Sequence, residues 1–373
     1  MSFEAKADVV IIGAGVIGSA IACFLSRAGL EVLVIERAEI AAESSGAAAG
    51  LLAPLGALDG PGAFTDLVMT SRALMLKLLP ELEEISGEQA EYLRCGSLRV
   101  AMDEAGLESL HERMSIWETL GWEVSWLEGD EARTREAGLA ETVRGAVYAP
   151  QEGSIRAASL TRVYAGAARQ FGARFLEHTE VTGIERAGSR VTGVSLANGT
   201  SISCAHLVVA CGAWSASIGT LLNLDIPVQP ARGQILALKP PMLPLKHILF
   251  GPQVYLVPKQ DNTIFVGATV EQVGFDKQVT ASGIAWLLAS AIDLVPELAD
   301  APIVRMWAGL RPWSADALPI LGRAPGWNNV VLATGHSGVG FETSAITAQS
   351  IAELLLNGQE PLLMRSYGLE RFG

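Results

Sequence analysis

The sequence predicts an α/β protein built on a discontinuous dinucleotide-binding domain of the doubly wound, Rossmann-like kind. Three observations predict it. The first is Asp8-Val-Val-Ile-Ile-Gly13-Ala-Gly15-Val-Ile-Gly18, an apolar run suited to a buried parallel strand that opens directly into G-x-G-x-x-G. The second is the order of the next elements: a helical stretch over 19–28, a second apolar run over 31–35, and an acid at Glu36. The third is a later strand-to-glycine turn, Val330-Val-Leu-Ala-Thr-Gly335-His336-Ser337-Gly338-Val339-Gly340. Nucleotide-type turns at opposite ends of one chain require a domain assembled from separated segments.

Each residue of the opening motif has its own physical task. Gly13 allows the tight turn, Gly15 admits a pyrophosphate to the backbone, and Gly18 brings the first helix close to the strand. The helix N-terminus favours phosphate charge. Glu36, about 20 residues beyond the glycines, is placed for a ribose hydroxyl. A glycine-rich turn without a ligand is the plain alternative, and the ordered strand, helix, strand and acid argue against it.

The run Ala41-Ala-Glu-Ser44-Ser45-Gly-Ala-Ala-Ala49-Gly50-Leu51-Leu-Ala-Pro54 is poor strand material. Small residues there let backbone lie against a flat ligand, with Ser44 and Ser45 as donors to phosphate. Leu67, Leu74, Leu78 and Leu82 mark an amphipathic helix over 64–84. A strand is expected over 92–102, a helix over 111–120 and a strand from 122–126. His111, among Glu108, Glu112 and Arg113, reads as part of a solvated helix face. Residues 147–156 read as a crossing between domains.

A helix over 158–171 precedes strands over 173–178 and 181–185. A hairpin turns at Asn198-Gly199 between 191–196 and 200–203, and a separate buried strand covers 207–214. The middle segment 228–270 is rich in strands and prolines, with 254–258 and 264–268 paired across Asp261-Asn262. Helices are expected over 281–294 and 343–356, the last capped by Asn357-Gly358. Glu342, just before that helix, reads as an acid favoured by the helix dipole, with no catalytic role.

Composition narrows the class. Half of the 373 residues are hydrophobic and 18% are charged, which excludes a disordered chain. A net charge of -13 argues against nucleic acid or an anionic membrane as partner. Cys23, Cys95, Cys204 and Cys211 show neither metal-ligand nor disulfide-framework spacing, so reduced thiols in a cytoplasmic protein are expected and no metal site is. The uncharged stretch 9–26 carries three glycines and no basic flank, so membrane insertion is not expected.

The chain as a whole resembles the D-amino-acid oxidase group of flavoproteins, and within it the glycine oxidases of thiamine biosynthesis. The resemblance rests on Gly13/Gly15/Gly18 with Glu36-Arg37, on Ser44-Ser-Gly-Ala-Ala-Ala-Gly50, and on Ala210-Cys-Gly212-Ala-Trp214. It rests also on Arg232-Gly-Gln, Tyr255-Leu-Val-Pro258, Val266-Gly-Ala-Thr, Trp307-Ala-Gly-Leu-Arg311-Pro and Gly335-His336. It implies FAD, bound non-covalently because no cysteine occurs after Cys211. It further implies that FAD-binding segments 1–85, 151–225 and 305–373 alternate with segments 86–150 and 226–304 of an antiparallel-sheet substrate domain.

Position by position, the resemblance puts Val16 and Ile17 at the pyrophosphate and Glu36, with Arg37, at the adenosine ribose. Ser44, Ser45, Ala49, Gly50 and Leu51 line the stretch toward the flavin, Val181 meets adenine, and Gly212 and Trp214 belong to the same site. His336, Ser337, Gly338, Val339, Gly340, Phe341 and Glu342 run beside the isoalloxazine ring. Arg311 pairs with the substrate carboxylate, a task suited to a planar guanidinium, and the Tyr255 hydroxyl donates to the same group. Leu51, Phe250 and Val270 complete the substrate pocket.

Three departures bear on specificity. Gly338 stands where glycine oxidases often carry a second arginine, Phe250 where a second tyrosine is often found, and Leu51 and Val270 where methionine can occur. The implied reaction is oxidation of a small amino acid (glycine, sarcosine or a small D-amino acid) by hydride transfer to FAD. Its products would be an α-keto acid, ammonia or an amine and, with dioxygen as second substrate, hydrogen peroxide. Two other readings stay open: a dehydrogenase serving a quinone or partner protein, as in hydrogen cyanide synthase subunits, and a flavin-holding subunit without turnover. Homo-oligomerisation stays open too.

Overall fold

In the computed structural model, which describes residues 5–241 and 245–373, the elements form two large sheets. Positions 242–244 of the proline-rich middle segment lie outside the described residues. The first sheet is parallel at its centre. Strand Ala5–Ile12 pairs with Val32–Ile35 on one side and Ser201–Val209 on the other, and Val330–Thr334 and Arg174–Leu176 extend it. Val32–Ile35 and Val330–Thr334 and the ends of Ala5–Ile12 and Ser201–Val209 beside them are buried on both faces because helices or a hairpin cover both. Helices Val16–Arg27, Ala63–Ser86, Ala157–Gln170 and Gly340–Asn357 pack over one face around Ile11, Ile21, Leu160 and Ile351. Hairpin Val181–Ala187/Arg190–Leu196 and helix Ser215–Leu222 border the other, around Val10, Val194 and Leu222.

The second sheet is mainly antiparallel, running from Ile303–Ser314 through Val228–Leu238, Ile264–Gly267, Tyr255–Pro258 and Ile248–Phe250 to Ser97–Ala101, Gly145–Ala149 and Ser125–Glu128. Only the pair Ile248–Phe250/Ser97–Ala101 is parallel among the described residues. Helix Ala281–Leu294 closes its core with Ile284, Leu287 and Leu294. The turn between Tyr255–Pro258 and Ile264–Gly267 falls at Asp261-Asn262, where the Asp261 carboxylate accepts from Thr263 N and Asn262 takes φ 61°.

Several sequence expectations change. Strand 92–102 shrinks to Ser97–Ala101 and is buried on both faces, so it does not alternate. The second hairpin arm and the buried strand after it are one element, Ser201–Val209, antiparallel to Arg190–Leu196 at its start and parallel to Ala5–Ile12 along its length. Strand Ile303–Ser314 lies wholly in the second sheet, bonded along Val228–Leu238. The change of sheet therefore falls after Ser314 and not at 305. His111 is exposed and stacks on Trp126 with ring centroids 3.9 Å apart.

Candidate active site

A cleft of about 670 Å³ is lined by residues of both sheets. On the first-sheet side it begins where strand Ala5–Ile12 ends in Gly13, whose φ of 105° suits glycine and strains other residues. Helix Val16–Arg27 starts two residues after Ala14, with Gly15 as its N-cap. A Cβ on Gly15 would stand 3.0 Å from Ser45 Oγ, in the space over the turn. A Cβ on Gly18 would meet the Gly13 carbonyl oxygen at 1.9 Å. Gly18 is thus no wall of the cleft; it sets the helix-to-strand distance that the turn needs.

Neighbouring groups hold this rim in place. The Val16 amide donates to Ser45 Oγ at 2.9 Å, which ties the small-residue run to the helix N-terminus. Glu36 is fixed at both oxygens, accepting from Ala14 N at 2.8 Å and Ala38 N at 2.9 Å. Arg37 lies 3.8 Å over the Trp214 ring and pairs with Glu43 at 3.2 Å. Gly13, Gly15, Val16, Ile17, Glu36, Arg37, Ser44, Ser45, Ala49, Gly50, Leu51, Val181, Gly212 and Trp214 all face the cleft.

The second sheet supplies Arg311 and Tyr255. Arg311 Nη1 donates to the Thr269 carbonyl at 3.0 Å, and the guanidinium lies where a Cβ of Gly233 would be, 2.4 Å from it. That explains Arg232-Gly-Gln: the glycine clears space for Arg311, while Arg232 pairs with Glu271 at 2.5 Å and Asp276 at 3.0 Å. Among the described residues, no protein carboxylate pairs with Arg311. Burial pushes the Tyr255 phenol up, and Arg311 beside it works in the opposite direction. Phe250 sits directly across the ladder from Tyr255, its ring 6.5 Å away edge-on, as a support behind the tyrosine and not a cleft wall.

At the C-terminal turn, His336, Ser337, Gly338, Gly340 and Phe341 line the cleft; Val339 and Glu342 do not. His336 is buried, its Nε2 shares a hydrogen bond of 3.3 Å with Thr347 Oγ1, and burial lowers it to about 3. It is a neutral imidazole at physiological pH. Helix Gly340–Asn357 starts here, so its first N–H groups have no intrahelical acceptor and its N-terminus favours negative charge.

Two further positions, besides Phe250 and Val339, differ from the sequence expectation. Val270 is 60% exposed and is not a cleft wall. Beyond Gly267 the regular ladder ends, but Thr269 and Glu271 stay backbone-bonded to Gln234 and Arg232, and Val270 between them is left on the outer side. Glu342 is buried inside the first turn of the helix and not at its solvated end, accepting from Ala53 N at 2.7 Å. Burial first, then the Glu152 carboxylate, raises it to about 8. Its ordinary unfolded value is about 4.5. Between those values the unfolded carboxyl loses a proton that the folded one keeps, so wild-type stability falls as pH rises toward 8. Glu342→Gln keeps an acceptor for Ala53 and lacks this slope. Melting curves from pH 5 to 9 should show wild type losing ground to the variant; parallel curves would contradict the buried neutral acid.

Sequence reasoning missed Lys259. Its ammonium is buried and donates to the carbonyls of Ala49 at 2.6 Å and Ile155 at 3.0 Å, while burial lowers it to about 7. It pins the Ala49-Gly50 wall from the second sheet. The segment Tyr255-Leu-Val-Pro-Lys259 carries no local signal of that reach, because Ala49 lies 210 positions away. Cys211, also on the cleft, donates Sγ to the Ile12 carbonyl at 3.2 Å, and burial pushes its thiol up.

A strand-to-glycine turn, a fixed acid at the next strand end, a second glycine turn and an arginine without a carboxylate partner among the described residues share one cleft. That is the arrangement of a dinucleotide-dependent redox enzyme. Residues 8–354 match the family described as FAD dependent oxidoreductase (DAO), and the chain belongs to it. It is a flavoenzyme. It is 39% identical over 361 residues to the bifunctional protein ThiO/ThiG of Nostoc sp., covering 95% of this chain and 54% of that protein. The chain thus spans about half the length of such bifunctional relatives. It is 33% identical over 366 residues to the glycine oxidase of Geobacillus kaustophilus, covering 98% and 97% of the two chains. The crystal structure of that organism's glycine oxidase superimposes with a TM-score of 0.93 over 98% of each chain. Hydrogen cyanide synthase subunit HcnC of Pseudomonas aeruginosa is 32% identical over 400 residues, covering 98% and 96% of the two chains. Among the described residues, no helix is long and apolar enough to cross a membrane, and no cluster of His, Cys, Asp or Glu could hold a metal.

Proposed function

We propose that this flavoenzyme, an amino-acid oxidase by family, oxidises glycine or another small amino acid such as sarcosine. The reading rests on Arg311, a guanidinium on the cleft wall with no protein carboxylate among the described residues, set beside the Tyr255 hydroxyl. Those two groups hold the substrate carboxylate, the guanidinium through a charge-assisted fork and the phenol through one donor. Leu51 and Ile235, apolar and on the same cleft, leave little for a long polar side chain to pair with.

Glu36, Ser45, Val16 and the two glycine turns would hold FAD, the N-termini of helices Val16–Arg27 and Gly340–Asn357 offering N–H groups to its anionic parts. Bound FAD supplies the acceptor for a hydride equivalent from the α-carbon, with dioxygen as the final acceptor. Arg311 and Tyr255 contribute by fixing that carbon in place, and neutral His336 adds no charge. The imine product hydrolyses to an α-keto acid and ammonia or an amine.

Anaerobic mixing of the flavoprotein with a panel of glycine, sarcosine, D-alanine and larger amino acids tests this. Rapid bleaching by the small members, then peroxide release on admitting air, is the expected result. Bleaching by none of them would refute the substrate class; reoxidation by quinone dyes but not air would make the enzyme a dehydrogenase.

FAD should also leave the chain intact. Acid precipitation is expected to give a colourless pellet and a yellow supernatant containing FAD. A pellet that keeps its colour would show a covalent bond.

A further inference from the structure

The segment Glu271-Gln-Val-Gly-Phe275-Asp-Lys277-Gln-Val-Thr280 lies between strand Ile264–Gly267 and helix Ala281–Leu294 and forms neither strand nor helix of its own. Residues 272–279 are exposed throughout. Exposed irregular segments are usually held loosely. This one is tied down at its base and at its tip.

The ties at the base come from strand Val228–Leu238. Arg232 and Glu271 exchange backbone hydrogen bonds of 2.9 Å in both directions. The buried Arg232 side chain donates Nη1 to Asp276 Oδ2 and to the Gln278 carbonyl, both at 3.0 Å. Gln234 Oε1 accepts from Thr280 N at 2.8 Å, where the segment turns into the helix. The two polar residues of Arg232-Gly-Gln thus fix this segment, while their glycine makes room for Arg311. At the tip, Phe275 lies against Trp214 with ring centroids 5.3 Å apart. Beside it, Lys277 Nζ pairs with both oxygens of Glu43, at 3.1 and 3.0 Å. Trp214 and Glu43 line the first cleft, together with Arg37, which touches both. Phe275 and Lys277 are not themselves on the cleft wall; they reach it through those two residues.

We propose that residues 271–280 form a strap that retains FAD, with Phe275 and Lys277 as positioning residues that hold Trp214 and Glu43 at the cleft rim. This rests on the assignment of FAD to that cleft and not on which amino acid is oxidised. The device is asymmetric. Its base is held by a buried arginine, whereas its tip is exposed and belongs to neither sheet, so the tip lifts without unfolding either. One aromatic contact and one exposed ion pair are weak enough to open and strong enough to slow escape of the cofactor.

The rate of FAD release after dilution of the FAD-loaded enzyme, followed by flavin fluorescence, tests it. Phe275→Ala should speed release about 2- to 10-fold, Lys277→Glu a few-fold, and the double variant more than either. Phe275→Tyr keeps the ring contact and should release FAD at the wild-type rate. With FAD in excess, kcat and KM for the amino acid should stay unchanged in all of them, and so should the circular-dichroism spectrum, because these side chains are exposed. Release no faster than wild type in the alanine and double variants would overturn the proposal. A lowered kcat at saturating FAD would also overturn it, because the segment would then serve the reaction itself, as would faster release accompanied by loss of the native spectrum. A wild type that holds no FAD would refute the cofactor site and the strap with it. A wild type that holds FAD, with variants that release it no faster, would overturn the strap alone.

Discussion

Arg311→Ala is expected to lower kcat/KM for the best amino acid by roughly 30-fold to several thousand-fold while leaving the flavin spectrum nearly unchanged. Removing one partner of a desolvated, charge-assisted contact costs about 2–5 kcal/mol, which sets that range. Gly338 supplies no second guanidinium, so the remaining donor is the Tyr255 hydroxyl. Truncation also frees the Thr269 carbonyl that Arg311 now engages, and a melting curve separates that structural cost from the kinetic one. Arg311→Lys should recover part of the activity only, because a point charge cannot reproduce the planar fork or its place over Gly233. Steady-state kinetics on the amino acid and on the matching amine without its carboxylate decide the matter. An alanine variant with wild-type efficiency, or a wild type that prefers the plain amine, would make the protein an amine oxidase.

Gly18→Val should abolish most FAD binding. The obstacle is the Cβ itself, which would meet the Gly13 carbonyl oxygen at 1.9 Å, and the two further methyls only add to it. Backbone cannot yield to that contact without moving helix Val16–Arg27 off the strand, and with it the N-terminal amides that the proposed FAD site relies on. Overpacking of this kind costs about 1–3 kcal/mol or more, and the displaced N-terminus removes binding in addition. Gly18→Ala makes the same first contact and should fall between the two. The ratio of flavin to protein absorbance after purification, with circular dichroism to check folding, measures the effect. A folded valine variant with full flavin content would refute this account of the turn.

Local code made much of the fold readable. The opening strand, glycine turn, helix and Glu36 succeed each other within one short segment, and so do the C-terminal turn and its helix. In each, glycine positions and apolar spacing act over a few residues, so the sequence alone fixes what forms. The hairpin at Asn198-Gly199 and the helix Ala281–Leu294 are legible for the same reason. Arg311 and Tyr255 were legible only through family resemblance, since nothing in their neighbours' spacing says that they meet.

Tertiary structure decided the rest. Ile303–Ser314 belongs to the second sheet because it pairs with Val228–Leu238, about 75 residues earlier, and apolar content alone does not tell one buried ladder from another. Val270 is left on the outer side because the backbone on either side of it stays bonded to Gln234 and Arg232. Glu342 keeps its proton because distant segments bury it and bring the Glu152 carboxylate near, against the Ala53 amide that favours its charged form, and Lys259 is a clamp because the carbonyls of Ala49 and Ile155 arrive to accept from it. A residue's helical or extended state depends largely on neighbours in sequence, whereas its burial, protonation and hydrogen-bond partners depend on which remote segments pack against it.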